Sequence, residues 1–474
     1  MHAPSVLRRV GRTAALLGAV ALATTAPLAQ AESPGPLGAQ DARHLLARTG
    51  FGASGADVAR YAALSREAAV ERLLAGTHGE PDIPPPAFTD AGAPLPGPQP
   101  GMTFTADERR AFVREQARQT AELRAWWIDE MVHTSSPLTE RMTLFWHNHF
   151  VSSQRKVRFA RLMYAQNALF REHALGDFRT LLHAAAKDPA MVLYLDSVQN
   201  RKGAPNENFA REVMELFTLG EGRYTEQDIK EAARAFTGWG FDRARGAFVF
   251  RPRLHDDGEK TIFGTRRNFD GDAVLDLILA RPEAARFIVA KLWREFVSPD
   301  PDDAAVERVA RQFRANGYDI KVALRGLLLE PAFWASGNRG ALVKSPTELV
   351  VGTLRSLDVA PPATAPYAAA VSGMSQVLFA PPNVKGWPGG ERWINTSTLL
   401  ARKQFLERVA RAAVDSNVWV AAQPGDDVPA HLAFAQNVLL PLPPVTADVA
   451  EARAQRDPVL FVRAALLDPV YQLK

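Results

Sequence analysis

An all-α, mainly helical fold with one small β-hairpin is what this sequence predicts, and three observations predict it. Apolar residues recur at helical spacing through most of the chain from residue 40 onward. Helix starts recur as a capping residue followed by proline, as at Ser136-Pro137, Asp188-Pro189 and Ser345-Pro346. Strand-like sequence is confined to residues 247–264, where AFVFRP and KTIFG flank His255-Asp256-Asp257-Gly258 and predict a hairpin with an Asp-Gly turn.

The first 31 residues have the pattern of a secretory signal. Arg8, Arg9 and Arg12 precede a short apolar run, and Ala29-Gln30-Ala31 is a small-x-small cleavage site, so the mature chain is expected to begin at Glu32. Arg8-Arg9 fits a twin-arginine signal as well as the general secretory route. Of 56 basic and 52 acidic residues this segment holds three arginines and no acid, which leaves 53 against 52. Nothing then points to nucleic acid, which needs a concentrated basic face. No later stretch reaches the roughly 20 apolar residues of a membrane span, so the expected product is a soluble, exported protein, periplasmic or extracellular. The absence of cysteine excludes disulfides and thiolate chemistry.

Residues 32–80 predict two helices around RTGFGAS, and eight prolines make 81–103 a linker or surface loop. A helical core follows over 104–415, beginning with a long periodic helix from residue 106 to about 133. Residues 416–474 form a proline-rich loop and a C-terminal helix. Within the core the chain repeats itself. LFWHNHFVSS at 144 is echoed by KLWREFVSPD at 291. Each is followed by a helix that opens at an aspartate, Asp177 or Asp319, and closes at an acid-proline pair; Asp457 to Asp468-Pro469 is a third such helix. Asn200-Arg201 and Pro205 answer to Asn338-Arg339 and Pro346, and Gly238-Trp239 answers to Gly386-Trp387. These matches predict an internal duplication of roughly 120 residues, about 137–250 and 285–395.

The repeat also sorts the polar residues. Glu207 and Glu348 occupy one position, and Ser345-Pro346-Thr347-Glu348 is a capping box, so both glutamates are expected to cap helices. The predicted helix 205–219 carries Asn208, Arg211, Glu212 and Glu215 on one face. Their counterparts are Leu349, Gly352, Thr353 and Ser356. His147 and His149 likewise face Arg294 and Glu295. Chemistry is therefore expected in the first copy, at His147, His149, Asp196, Asn208, Arg211, Glu212 and Glu215. Two imidazoles and a carboxylate, His147, His149 and Glu212, would suit a divalent metal, and Glu212 with Glu215 would suit general acid-base work. Each has a plainer reading. Histidines two apart on a continuous helix point about 200° apart, and Glu212, Glu215 and Arg211 would equally form an ion-pair network. In GWPGGERWIN, Trp387 and Trp393 suit either a sugar-stacking surface or a packed loop. No phosphate loop, dinucleotide fingerprint, serine elbow or zinc helix is present.

HLLARTGFGAS at 44, ERMTLFWHNHF at 140, DPAMVLYLD at 188, NENFAREVMELFTLGEGRYTEQDIKEAARAFTGW at 206, HDDGEKTIFG at 255, KSPTELVVGTLRSL at 344 and NVKGWPGGERWINTSTLLAR at 383 resemble the bacterial domain of unknown function 1800 family over nearly the whole mature chain. The resemblance implies an exported, mainly helical protein with no assigned activity. It also implies a partner, an exported domain of unknown function 1501 protein with an alkaline-phosphatase-like fold. Some members carry histidine where this chain has Phe217, so that position is no obligatory ligand. Two functions are consistent with the sequence. One is a metal-assisted hydrolase or modifier of envelope polymers such as polysaccharide; the other is a non-catalytic envelope-associated binding or assembly protein.

Overall fold

The helix 137–149 is buried on every side, and the rest of the molecule is arranged by what its faces touch. The computed structural model describes residues 35–90, 95–96, 103–359, 361, 363–415 and 428–474. The predicted signal segment 1–31, most of 91–102 and residues 416–427 lie outside the described residues. Residues 36–474 form one compact unit.

Three helices begin it: α1 (Gly38–Thr49), α2 (Gly55–Ala62) and α3 (Arg66–Ala75). The sequence predicts two; Ser54 caps α2 through Asp57 N, and Ser65 stops and restarts the chain by capping α3. Residues 81–90 are docked rather than free, since the carboxylate of Glu130 accepts Asp82 N at 3.1 Å and Ile83 N at 2.8 Å. The long α4 (Ala106–His133) has the predicted bounds and starts in a capping box of Thr105 and Glu108.

The first helical unit comprises α5 (Pro137–His149), α6 (Gln154–Val157), α7 (Ala160–Glu172), α8 (Phe178–Lys187), α9 (Pro189–Tyr194) and α10 (Asn208–Glu215), followed by α11 (Glu226–Ala235). After two small hairpins come α12 (Gly271–Leu279), α13 (Pro282–Phe296), α14 (Asp303–Ala315), α15 (Ile320–Leu329), α16 (Pro331–Trp334) and α17 (Pro346–Ser356). The chain finishes with α18 (Ala365–Gly373), α19 (Thr396–Asp415), α20 (Val428–Leu439), α21 (Ala447–Ala454) and α22 (Pro458–Leu467). Asp177, Asp319 and Asp457 each cap the helix predicted to follow them.

The hairpin prediction needs correction. Strands β1 (Trp239–Asp242) and β2 (Ala247–Phe250) pair with each other, as do β3 (Lys260–Ile262) and β4 (Thr265–Arg267), all antiparallel. AFVF and KTI are strands, but not partners. His255 to Gly258 connects two hairpins, and its carboxylates are taken up by cations: Asp256 by Arg234 at 2.8 Å and Asp257 by Lys202 at 2.5 Å. The two-residue turn of the second hairpin is Phe263-Gly264, both at positive φ.

Buried apolar side chains gather in two large bodies, one around Trp146, Phe150, Phe178 and Trp293, the other around Trp127, Leu144, Trp387 and Tyr471. Helix α5 lies between them, with only Pro137 and Asn148 not fully buried. Because 3.6 residues make a turn, its sequence resolves into stripes. Met142, Phe145 and Trp146 join the first body and Leu144 the second, while Glu140 and His147 meet α7 through Arg171 and Asn167. Burying each large apolar side chain this way stabilises the fold by about 1.5–3 kcal/mol. The remaining stripe, Arg141, Leu144, Phe145 and Asn148, lines a cavity.

Candidate functional site

The face predicted to carry chemistry on the central helix is shorter than expected and already paired. Helix α10 spans 208–215, not 205–219. At its start Asn200 Oδ1 accepts Asn206 N and Asn206 Oδ1 accepts Asn208 N, both at 2.9 Å, which holds 205–207 out of the helix. At its end Leu219 N and Gly220 N both reach Met214 O, and Gly220 takes φ +85° to close the turn. Glu207 caps nothing; its carboxylate pairs with Arg211 at 3.3 Å. Arg211 also pairs with exposed Glu226 at 2.7 Å. Asn208 donates to Leu195 O, Glu215 accepts from Tyr224 Oη at 2.8 Å, and Asp196 pairs with Lys156 at 2.7 Å. Glu212 is half-buried, and burial together with neighbouring Glu215 raises its carboxyl above the ordinary value.

His147 and His149 are core histidines. The helix runs through both, so their rings leave it on different sides. His147 sits in a box of Trp127, Phe170 and Phe379, with Asn167 Nδ2 3.1 Å from its Nε2. Burial, with Arg171 nearby, pushes it down to about 3. His149 lies among Trp146, Phe150 and Phe217; its Nε2 faces Phe217 O at 3.0 Å and its Nδ1 faces the Lys291 ammonium, also at 3.0 Å. Both of its ring nitrogens are occupied. Among the described residues no group of three or more His, Asp or Glu side chains is placed to hold a metal ion. The metal trio His147, His149 and Glu212 therefore does not converge. Among the described residues His147, His149 and Glu212 share no contact with one another.

The polar centre that the structure does assemble is built from residues far apart in the chain. Arg141 of α5 is 3% exposed and its Nη2 contacts both Glu295 of α13 and Glu348 of α17, the latter at 2.7 Å. Glu348 Oε1 also receives the ammonium of Lys474, while Glu348 Oε2 accepts Ser345 N at 2.8 Å in the predicted capping box. Burial would raise the Glu348 carboxyl, but Arg141 and Lys474 outweigh it and hold the group down to about 2. These four side chains line one side of a cavity of about 100 Å³. The opposite side is the GWPGGERW segment. Asn148 Oδ1 accepts Trp387 N at 2.7 Å, and Gly386, at φ +87°, lets the backbone come this close, since a Cβ there would lie 2.2 Å from that oxygen. Trp387 and Trp393 are only 5% and 4% exposed, so they are packed walls rather than an open stacking surface. Two enclosed donors on the lining residues have no partner among the described residues: Arg141 Nε and Trp387 Nε1. Arg294, exposed, stands at the rim.

A family model described as "Protein of unknown function (DUF1800)" matches residues 44–472. The chain belongs to the DUF1800 family. The matched range includes Arg141, Glu295, Glu348 and both tryptophans, and stops two residues short of Lys474. No curated protein and no solved structure matches this DUF1800 chain.

Arg141, Glu295, Glu348 and Lys474 are the residues that sequence reasoning missed. A signal was present for the first: Glu140-Arg141 interrupts an otherwise apolar helical stretch, and charges buried on all sides need partners. Glu348 was legible only as a cap, because one of its oxygens does serve the cap.

Proposed function

We propose that this protein is an exported, non-catalytic binding protein of the cell envelope, whose cavity beside α5 takes an anionic, ring-bearing ligand of the acidic-saccharide class. The observation that carries the proposal is the pair of enclosed, unpartnered donors on two residues that line the cavity, Arg141 Nε and Trp387 Nε1. Buried donors without acceptors are costly, so an acceptor-rich ligand is the natural complement. The lining carries three cations, Arg141, Arg294 and Lys474, against two carboxylates, which favours a negative charge on that ligand. Catalysis by the carboxylates is not supported: Glu348 is held ionised between two cations, so it has no proton to give at neutral pH. The metal-assisted hydrolase reading has no comparable assembly of side chains behind it. Export rests on the signal pattern of residues 1–31, and an exported alkaline-phosphatase-like partner fits an assembly role.

The test is calorimetric titration with glucuronate and with glucose. Glucuronate should bind at least about tenfold more tightly, and Arg294→Met, a rim change that leaves the buried pairs intact, should remove most of that preference. Equal affinities, or no binding of either sugar, would overturn the reading.

We also propose that the two helical units are copies. Apart from the short α6, which has no counterpart, the order α5, α7, α8, α9, 3-10 turn, α10 matches α13, α14, α15, α16, 3-10 turn, α17. The equivalent caps Asp177 and Asp319 meet in an antiparallel bridge, with Phe178 N bonded to Tyr318 O and Ile320 N to Gly176 O, both at 2.9 Å. Reciprocal bonds between equivalent positions are what a local two-fold relation produces. Superposing 136–219 on 283–357 should place Pro189 over Pro331; different connection orders would sink the idea.

A further inference from the structure

Behind the Glu348 and Lys474 side chains, which also line the larger cavity, lies a second cavity of about 20 Å³, enough for one water-sized particle. Arg43, Lys344 and Lys474 line it, with Glu348 as the one carboxylate. That carboxylate is already shared between Arg141, Lys474 and the Ser345 amide. Arg43 is 6% exposed, yet its guanidinium makes no hydrogen bond or ion pair among the described residues, and its Nε is fully enclosed. Lys344 Nζ stands 3.7 Å from the centre of the Tyr471 ring and has no hydrogen-bond partner among the described residues. The surroundings add the cations Arg48 and Arg402, and the nearest further carboxylate, Glu295, is taken up by Arg141. Among the described residues Arg48 bonds only to the carbonyls of Phe296, Val297 and Asn338, and Arg402 only to Gln472 Oε1 and Lys344 O.

Buried cations that lack neutral acceptors of the kind Arg48 and Arg402 have either find an anion or lose a proton. Lysine has the second route: burial, reinforced by Arg43, pushes Lys344 well below its ordinary value, and burial beside Arg141 pushes Lys474 down to about 8. A guanidinium does not deprotonate in proteins, so Arg43 has only the first. Water would satisfy its N–H groups but not its charge.

We propose that this cavity is a binding site for a single halide-sized monoanion, chloride, held by Arg43 and Lys344. The space suits a small monoanion better than phosphate or a larger anion. An ion there keeps Lys344 and Lys474 charged, keeps Lys474 on Glu348, and so fixes the wall that the two cavities share. The site is independent of whether the larger cavity takes a saccharide.

The experiment is thermal unfolding of the full chain at neutral pH and constant ionic strength, with chloride or bromide replacing gluconate, an anion too large to enter. Halide should raise Tm saturably, by about 2–4 °C or more, and Arg43→Met should flatten the dependence while Arg72→Met, on the outside of α3, keeps it. A Tm indifferent to halide, or a full response in Arg43→Met, would overturn the proposal. Should Arg43→Met not fold, bromide-soaked crystals of the unmodified protein decide: an anomalous peak between Arg43 and Lys344 supports the site, and its absence refutes it.

Discussion

Helices α10 and α17, counterparts in the proposed duplication, treat charge in opposite ways. On α10 the charges are many and shallow: Arg211 reaches exposed Glu226, Glu215 meets a tyrosine, and Glu212 is only half-buried. On α17 there is one carboxylate, deep and tied to two cations. The positions answering to Arg211 and Glu212 are Gly352 and Thr353. A Cβ at Gly352 would lie 2.0 Å from Phe51 O, so glycine is what lets the turn after α1 pack on the helix. Thr353 Oγ1 is 2.9 Å from Tyr471 Oη. Helix α17 thus packs against both ends of the compact unit where α10 carries a polar face. Polar density along a sequence marks surface networks; the charge that organises a core is sparse and has distant partners.

The largest expected effect breaks or confirms that contrast directly. Glu348→Gln keeps the capping geometry but leaves Arg141 and Lys474 without their shared partner, and should cost about 3–5 kcal/mol in urea unfolding. A loss below about 1 kcal/mol would mean that the buried centre is no more important than the surface one.

The contrast reverses at the acids before proline, where the first unit buries its carboxylate. Asp188 is 2% exposed, accepts from Gln166 Nε2 and Met191 N, and has no cation; burial pushes it up to about 7. Its counterpart in the proposed duplication, Glu330, pairs with Arg308 at 2.7 Å. Between about pH 4 and 7 the folded chain therefore keeps a proton that the unfolded chain has lost. Stability contributed at Asp188 falls as pH rises through that window, on the order of 2–4 kcal/mol in all. Asp188→Asn should remove this slope, whereas Glu330→Gln should leave it in place; equal slopes in both variants would contradict the assignment.

Smaller effects belong to α10. Glu212→Gln relieves a carboxyl disfavoured by burial and by Glu215, so Tm should stay level or rise slightly, most visibly above pH 6. A clear loss of Tm would show an ion pair that α10 does not contain. Arg211→Met should leave Tm within error, because exposed pairs contribute little.

Much of the fold was legible because its signals are local. Asp177, Asp319 and Asp457 cap their helices, and α4 runs as its periodicity dictates. The misses share one cause, partners outside the window being read. Asn200 and Asn206 delay the start of α10, and AFVF and KTI pair with strands on their far sides rather than with each other. The candidate site was less legible still. His147 and His149 attracted attention as ligand-type residues, but aromatic neighbours from α4, α7, α8 and the segments around Phe217 and Phe379 make them core. Glu348 and Lys474, which do meet, are 126 residues apart.

The central claim is that the buried contact of Arg141 with Glu348, not the polar face of α10, is the charge centre on which the cavity is built. A double-mutant cycle measures it most directly, with Arg141→Met and Glu348→Gln singly and together, set beside the same cycle for Arg211 and Glu226. The expected coupling is above about 2 kcal/mol for the first pair and indistinguishable from zero for the second. Additive effects at Arg141 and Glu348, or equal coupling in the two pairs, would contradict it.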